Sequence, residues 1–352
     1  MDLMKGSKAL LHPLQFTSPK VFKPFRPKSA TLIANPTAGG GSERLIKEAY
    51  NLLVDRDIEV ELFYTDHKGH AETIARGVAR GLEVRGTEDL AGHIVIVAGG
   101  DGTYNEVANG LVHTQIPMAI LPMGTTSVLA REIKIPLNIE RAVETITEGV
   151  LIEANLGLIE CYIQSQKTRR YFLLMAGIGF DGDTVRAVAT DKKKKIGKLA
   201  YILQGFKQFV HYTGYSIQIQ MAENRFITGR PDAAGPDWAI LDCGNIIIGK
   251  GAHYGGPFTI TADASLLDNT FFVFATKGKS RLDILRQVIW IVLNRHQNLP
   301  DSSYFEARRM YIEGDAPIQI DGDYIGTLPA NLTVAERALR LLVGRLFLNG
   351  KY

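Results

Sequence analysis

The chain has 352 residues, enough for two cores, with 45% hydrophobic and 22% charged residues, the composition of an ordinary folded protein. A formal net charge of +3 is too small to mark a nucleic-acid binder. The 2 cysteines, Cys161 and Cys243, are too few and too far apart for a disulfide framework or a zinc site, which fits a reducing, cytoplasmic setting.

Residues 1–28 carry six Lys or Arg against one Asp, contain Pro13, Pro19, Pro24 and Pro27, and show no periodicity, so they read as a flexible basic arm. They lack the apolar segment of a secretory leader. From Ala30 strands alternate with helices. TLIAN (31–35) is strand-like, and SERLIKEAYNLLVDR (42–56) has apolar residues at helical spacing behind Ser42 as N-cap. EVELFYT (59–65) alternates and AETIARGVARGLE (71–83) is helical. HIVIVA (93–98) is apolar throughout, as a strand covered on both faces requires. YNEVANGLV (104–112) predicts a helix, MAIL (118–121) a strand, and TSVLAREI (126–133) a short helix ending before Pro136. This alternation implies an α/β domain over 29–150 with a parallel sheet. After Val150 strand-like runs follow one another through turns, with two clear helices near 196–210 and 281–294, which predicts a mainly antiparallel second domain over 151–329. The most apolar run, ILRQVIWIVLN (284–294), is too short to cross a bilayer and is interrupted by Arg286 and Gln287.

Three glycine-rich connections leave the carboxyl edge of the predicted parallel sheet, each leading into a helix: NPTAGGGS (35–42), GGDGT (99–103) and PMGTT (122–126). Ligands of open α/β sheets bind along that edge, and a helix N-terminus with bare backbone suits phosphate. Any one loop could be a plain tight turn, but three together predict a polyphosphate cradle. No Gly-Lys-Ser/Thr follows them, which excludes a P-loop NTPase. Asp101 stands where a carboxylate would repel phosphate unless Mg²⁺ lay between, so it is assigned to metal.

These loops, read as NPTAGGG, GGDGTYNEVANG and LPMGTTSVLAREIKIP, resemble the catalytic domain of the diacylglycerol kinase family, which includes sphingosine kinases and bacterial lipid kinases. The resemblance continues through AGIGFDGDTV (176–185), IGKLAYILQG (196–205), GGPFTITADASLLDNTFFV (255–273) and IQIDGDYIG (318–326). The Gly-Gly-Asp-Gly-Thr core alone is shared with NAD kinases and phosphofructokinases. The resemblance implies an ATP- and Mg²⁺-dependent kinase acting on a membrane-lipid hydroxyl, peripheral on the inner face of the membrane. It implies that Asn35, Pro36, Thr37, Ala38 and Gly39 line the ATP site and that Thr65 contacts the nucleotide. Gly99, Gly100, Asp101, Gly102, Thr103, Tyr104 and Asn105 would hold phosphates and metal, and Thr125 would complete the cradle. Ser265, Asp268 and Thr270 fall at a structural magnesium site, Asp323 at the proton acceptor, and residues from about 330 return to the first domain. A second copy of the chain is a further partner to consider.

The chain departs from that pattern at Ser127 and Val128, where Asn-Asp is common, at Asn269 in place of Gly, and at Asp323 in place of Glu. Two other readings therefore stay open: a kinase for a soluble substrate such as NAD, and an inactive nucleotide- or lipid-binding regulator. Asp321 competes with Asp323 as the base, since Asp-Gly here is first a hairpin signal. HKGH (67–70) reads as a helix start rather than a metal site. Lys192 to Lys195 are a solvated face or, beside an apolar helix, a contact for anionic lipid.

Overall fold

The apolar runs of the first half become buried strands in a computed structural model of the chain, which describes residues 21–39, 42–85, 92–124, 127–163, 166–190, 212–235, 238–254 and 258–350. Strands β2 (Ser29–Ala34), β3 (Glu59–Tyr64), β4 (His93–Gly99) and β5 (Met118–Pro122) are parallel and adjoin in the order β3-β2-β4-β5. Helices α1 (Ser42–Val54), α2 (His70–Arg85), α3 (Asp101–Leu111), α4 (Val128–Glu132) and α5 (Ile139–Glu148) intervene. β4 and β5 are buried along their whole length, which explains why HIVIVA shows no polar alternation. Ala34 pairs with both Tyr64 and Ala98, and Gly99 pairs with Pro122, so the loops after these strands open side by side.

The second domain is an antiparallel system built on β6 (Val150–Ile163), β7 (Gln166–Phe172), β8 (Met175–Ile178), β9 (Ile217–Thr228), β10 (Ala233–Ala234), β11 (Trp238–Cys243), β12 (Asn245–Gly249), β13 (Phe271–Thr276), β14 (Ser302–Glu313) and β15 (Pro317–Ile320). Its core includes Phe172, Ile248, Phe271 and Phe305. Helix α7 (Arg281–Val292) matches the expectation near 281–294, and Ser280 and Asp283 close its N-terminus as a capping box. A helix that the sequence pattern did not announce, α6 (Phe180–Thr190), follows β8. Its first N–H, from Phe180, is capped by the Asn245 side chain 65 positions away, so no local cap marks it. The segment predicted helical at 196–210, and Lys192 to Lys195, lie outside the described residues.

Two boundaries move. Val21–Pro24, inside the expected flexible arm, forms strand β1 against β6, because Val21 and Pro24 lie opposite Ile152 and Val150. Residues 1–20 lie outside the described residues. The return to the first domain comes later than 330. Strand β16 (Asp323–Val343) still pairs with β14 at Ala330 to Thr333, changes register between Ala335 and Leu339, and then lies parallel to β5 at Leu341. One strand thus belongs to both sheets, and β6 accompanies it across.

The joint near the loops is held by Asp321, which is half-buried between the domains. Its carboxylate accepts the backbone N–H groups of Leu173 (2.7 Å), Leu174 (2.9 Å) and Met175 (2.9 Å), and the amide of Asn105 on α3 (2.8 Å). Burial pushes this carboxyl's pKa up, and the four donors pull it back down. Removing the acceptor strands several buried donors at about 1–3 kcal/mol each. We therefore expect Asp321→Ala to lose at least about 3 kcal/mol in urea unfolding; a loss of less than about 1 kcal/mol would mean that the joint is held elsewhere.

Candidate active site

A cleft of about 500 Å³ opens at the carboxyl edge of the parallel sheet. Asn35, Thr37, Ala38, Gly39, Thr65, Gly100, Asp101, Gly102 and Thr103 line it, all of them expected from the sequence, and Asp323 faces it from the second domain. Helix α3 begins at its floor with Gly100 as N-cap and no side-chain cap, which leaves the first-turn N–H groups available to an anion.

The glycines serve a purpose that the sequence did not reveal. Gly39 sits at φ +51°, and a Cβ there would lie 2.2 Å from the Met123 carbonyl oxygen. A Cβ on Gly124 would lie 2.9 Å from the Gly100 Cα. The three loops touch backbone to backbone, so glycine is needed to assemble the cradle as well as to admit a ligand. Asn35 secures the first loop, accepting Thr37 N–H (3.0 Å) and donating to the Thr103 hydroxyl (3.2 Å).

Asp101 has a structural partner that the sequence did not show. Its two oxygens accept the backbone N–H groups of Val128 (3.0 Å) and Leu129 (2.9 Å), capping α4. That short helix starts from Ser127 in the left-handed region at φ 41° and lacks a side-chain cap of its own. The charge that had suggested a metal is matched by a helix N-terminus. Asp101 lines the cleft as well, so the same carboxylate positions α4 and faces the space at the helix N-terminus.

Four other expected contacts fall outside the cleft lining. Tyr104 is fully buried, donating its hydroxyl to the carbonyls of Gly99 (2.7 Å) and Leu121 (3.1 Å), and burial pushes its pKa up. Asn105 joins the domains through Asp321 and the Tyr171 carbonyl. Pro36 and Gly99 do not line the cleft, and Thr125 lies outside the described residues. The sequence pattern did not single out Asp66, His67, Lys68, Glu106 and Ser127 as lining residues, and they do line it, together with Gly124 of the predicted third loop. HKGH was legible as a helix start, and α2 does begin at His70, with Glu106 accepting N–H groups of Gly69 and Ala71. Its nearness to the second domain was not legible: Lys68 pairs with Asp323 at 2.6 Å. That contact comes from 255 positions away.

Asp321 and Asp323 are now distinguished. Asp321 and Gly322, at φ 47° and 89°, form the two-residue hairpin turn that Asp-Gly predicts. The turn aims Asp321 into the joint and leaves Asp323 at the cleft. Gln319 steadies it by accepting Gly322 N–H (2.8 Å) and donates to Asp181 (2.6 Å). Asp181 also accepts the Tyr254 hydroxyl. Burial pushes the Asp181 carboxyl up, and these two donors pull it back. Beside Asp181 a second cavity, about 580 Å³, is lined by Ile178, Phe180, Ile246, Phe258, Val288 and other mainly apolar residues.

Ser265, Asp268 and Thr270 do come together in one loop, but the fully buried Lys250 ammonium already donates to the carbonyls of Asp268 and Thr270. As they stand, these residues do not fit a structural magnesium ion.

The glycine contacts make a paired expectation. Gly39→Ala should lower the melting temperature, because its Cβ meets a backbone oxygen at positive φ. Gly102→Ala, with no atom within 4 Å of its new Cβ in a helical first turn, should not. Equal melting temperatures for the two variants would refute this packing.

Known proteins bear on this arrangement. Residues 29–159 match the family model described as the diacylglycerol kinase catalytic domain, and 175–343 match the C-terminal NAD kinase beta sandwich-like domain of YegS. A diacylglycerol kinase of Staphylococcus carnosus is 27% identical over 310 residues, 86% of this chain and 91% of that protein. One from Staphylococcus aureus is 27% identical over 316 residues, 88% of this chain and 90% of that protein. The crystal structure of a Bacillus anthracis diacylglycerol kinase shares the fold at a TM-score of 0.61 and 18% identity, over 91% of this chain and 98% of that one. Yeast NADH kinase aligns at a TM-score of 0.50 and 9% identity, over 97% of each chain. With both halves matched in order, and with the glycine loops, the opposed Asp323 and the antiparallel second domain in place, the chain belongs to the diacylglycerol kinase catalytic-domain family.

Proposed function

We propose that the protein is an ATP-dependent lipid kinase that transfers a phosphoryl group to the hydroxyl of a diacylglycerol or sphingoid-like lipid. The observation that carries this reading is the pairing of a polar cleft at a helix N-terminus with an apolar cavity beside it in the chain of contacts. The two are linked through Gln319, whose side chain bonds both the 321–323 turn and Asp181 on the cavity wall. A polyphosphate suits the first space and a hydrocarbon chain the second.

In this reading the ATP phosphates rest on the loops after β2, β4 and β5, and Mg²⁺ enters as part of the nucleotide substrate. Asp323 takes the proton of the acceptor hydroxyl while the hydroxyl oxygen bonds to the γ-phosphorus and the bond to the β-phosphate oxygen breaks. Lys68, paired with Asp323, stands where it can meet negative charge on the transferring group. Positioning by the cradle and the hairpin supplies the rest.

Helix α7 supports action at a lipid surface, since Leu282, Leu285, Val288, Ile289 and Val292 are exposed on it. Among the described residues no helix is long and apolar enough to cross a membrane.

Asp323→Asn should lower kcat on dispersed diacylglycerol roughly 100-fold or more while leaving ATP affinity nearly unchanged, because the residue serves the acceptor. Steady-state kinetics with equilibrium ATP binding would check both parts. A variant within threefold of wild type, or one that loses ATP binding instead, would contradict the assignment.

A further inference from the structure

The loop that the family resemblance gives to a structural ion is a place where backbone carbonyls gather. Asn155 on β6 donates its side-chain amide to the carbonyls of Leu267 (3.0 Å) and Asp268 (3.0 Å), and its own N–H to that of Leu266 (2.7 Å). Lys250, which directly follows β12, is fully buried, and its ammonium donates to the carbonyls of Asp268 (2.5 Å) and Thr270 (3.2 Å). The Ser265 carbonyl and hydroxyl turn inward, accepting N–H groups of Asp268 (3.0 Å) and Leu267 (3.3 Å).

Carbonyl oxygens arranged in this way are the usual ligands of a hard cation. Here two of those that a metal would need already face a positive charge. A divalent ion on the same oxygens would stand against an ammonium in a buried setting, where like charges repel with little screening. We infer that the Lys250 ammonium is the resident cation of this loop, replacing the structural metal, so that the second domain holds its shape without a divalent ion.

The substitution has a structural reach. The Lys250 and Gly251 N–H groups bond the Leu174 carbonyl, beside the turn that Asp321 gathers. The next residues, Ala252 and His253, give their N–H groups to the buried Glu132 of α4, and the His253 ring lies 2.6 Å from the same carboxylate. Anchoring Lys250 therefore helps hold the segment that grips α4, the helix capped by Asp101.

The test uses the full chain without nucleotide. Its melting temperature should be the same with EDTA, with Mg²⁺ and with Ca²⁺ at matched ionic strength. Lys250→Met, similar in length but uncharged, should melt several degrees lower, because it leaves buried carbonyls without their donor. A wild-type melting temperature that falls in EDTA would overturn the inference, as would a Lys250→Met variant as stable as wild type. If that variant does not fold, calorimetric titration of the wild-type chain with Mg²⁺ and with Ca²⁺ decides. No binding, or a bound ion that leaves amide exchange in the 265–270 loop unchanged, agrees with the inference; one bound ion that slows exchange in that loop contradicts it. None of these readouts depends on kinase activity, so they stand apart from the proposed function.

Discussion

The active-site geometry depends on one half-buried carboxylate. Asp321 gathers three consecutive N–H groups from the turn after β7 and the amide of Asn105 on α3. A carboxylate with four donors is strongly directional, so the hairpin that carries it can take few orientations. The consequence is read two residues later, where Asp323 stands opposite the glycine loops. The domains are also joined by the long shared strand β16, but that strand alone would not aim the hairpin.

Several acidic residues that look chemical in one dimension are structural in three. Asp101 caps α4, Glu106 caps α2, and Glu132 holds the 252–253 backbone. Each meets orphan N–H groups that need an acceptor. Two of them, Asp101 and Glu106, line the cleft with their charge met by backbone N–H groups, which lets a polyanion approach their neighbourhood. Asp323 differs, being bound by the Lys68 side chain at the cleft rim rather than by backbone. The same logic runs in reverse in the second domain, where a buried ammonium answers converging carbonyls.

Most strands and helices of the first domain were legible because continuous apolar runs and helical spacing are local signals, although α5 was not read. The three loops were legible too, since a glycine cluster directly after an apolar strand marks a bare-backbone turn. What could not be read was the partner of each polar group. Nothing near Asp101 in the chain shows that its oxygens will meet residues 128 and 129, and nothing near Tyr104 shows that its hydroxyl will tie β4 to β5. Helix α6 was hidden because its cap comes from Asn245. Strand β1 was hidden because prolines and lysines dominate the arm, and only pairing with β6 orders Val21 to Pro24. Lys250 carried no signal, because a single lysine after an apolar strand ordinarily marks its exit to solvent.

The central claim is that one site joins a phosphate cradle to an acceptor with a hydrocarbon chain. The most direct measurement is to incubate the purified chain with γ-labelled ATP, magnesium, a total lipid extract and NAD, and then to separate organic from aqueous products. The account predicts label in an organic-soluble phospholipid, abolished when the lipid extract is left out. Label appearing in NADP, or nucleotide binding with no transfer to any acceptor, would contradict it.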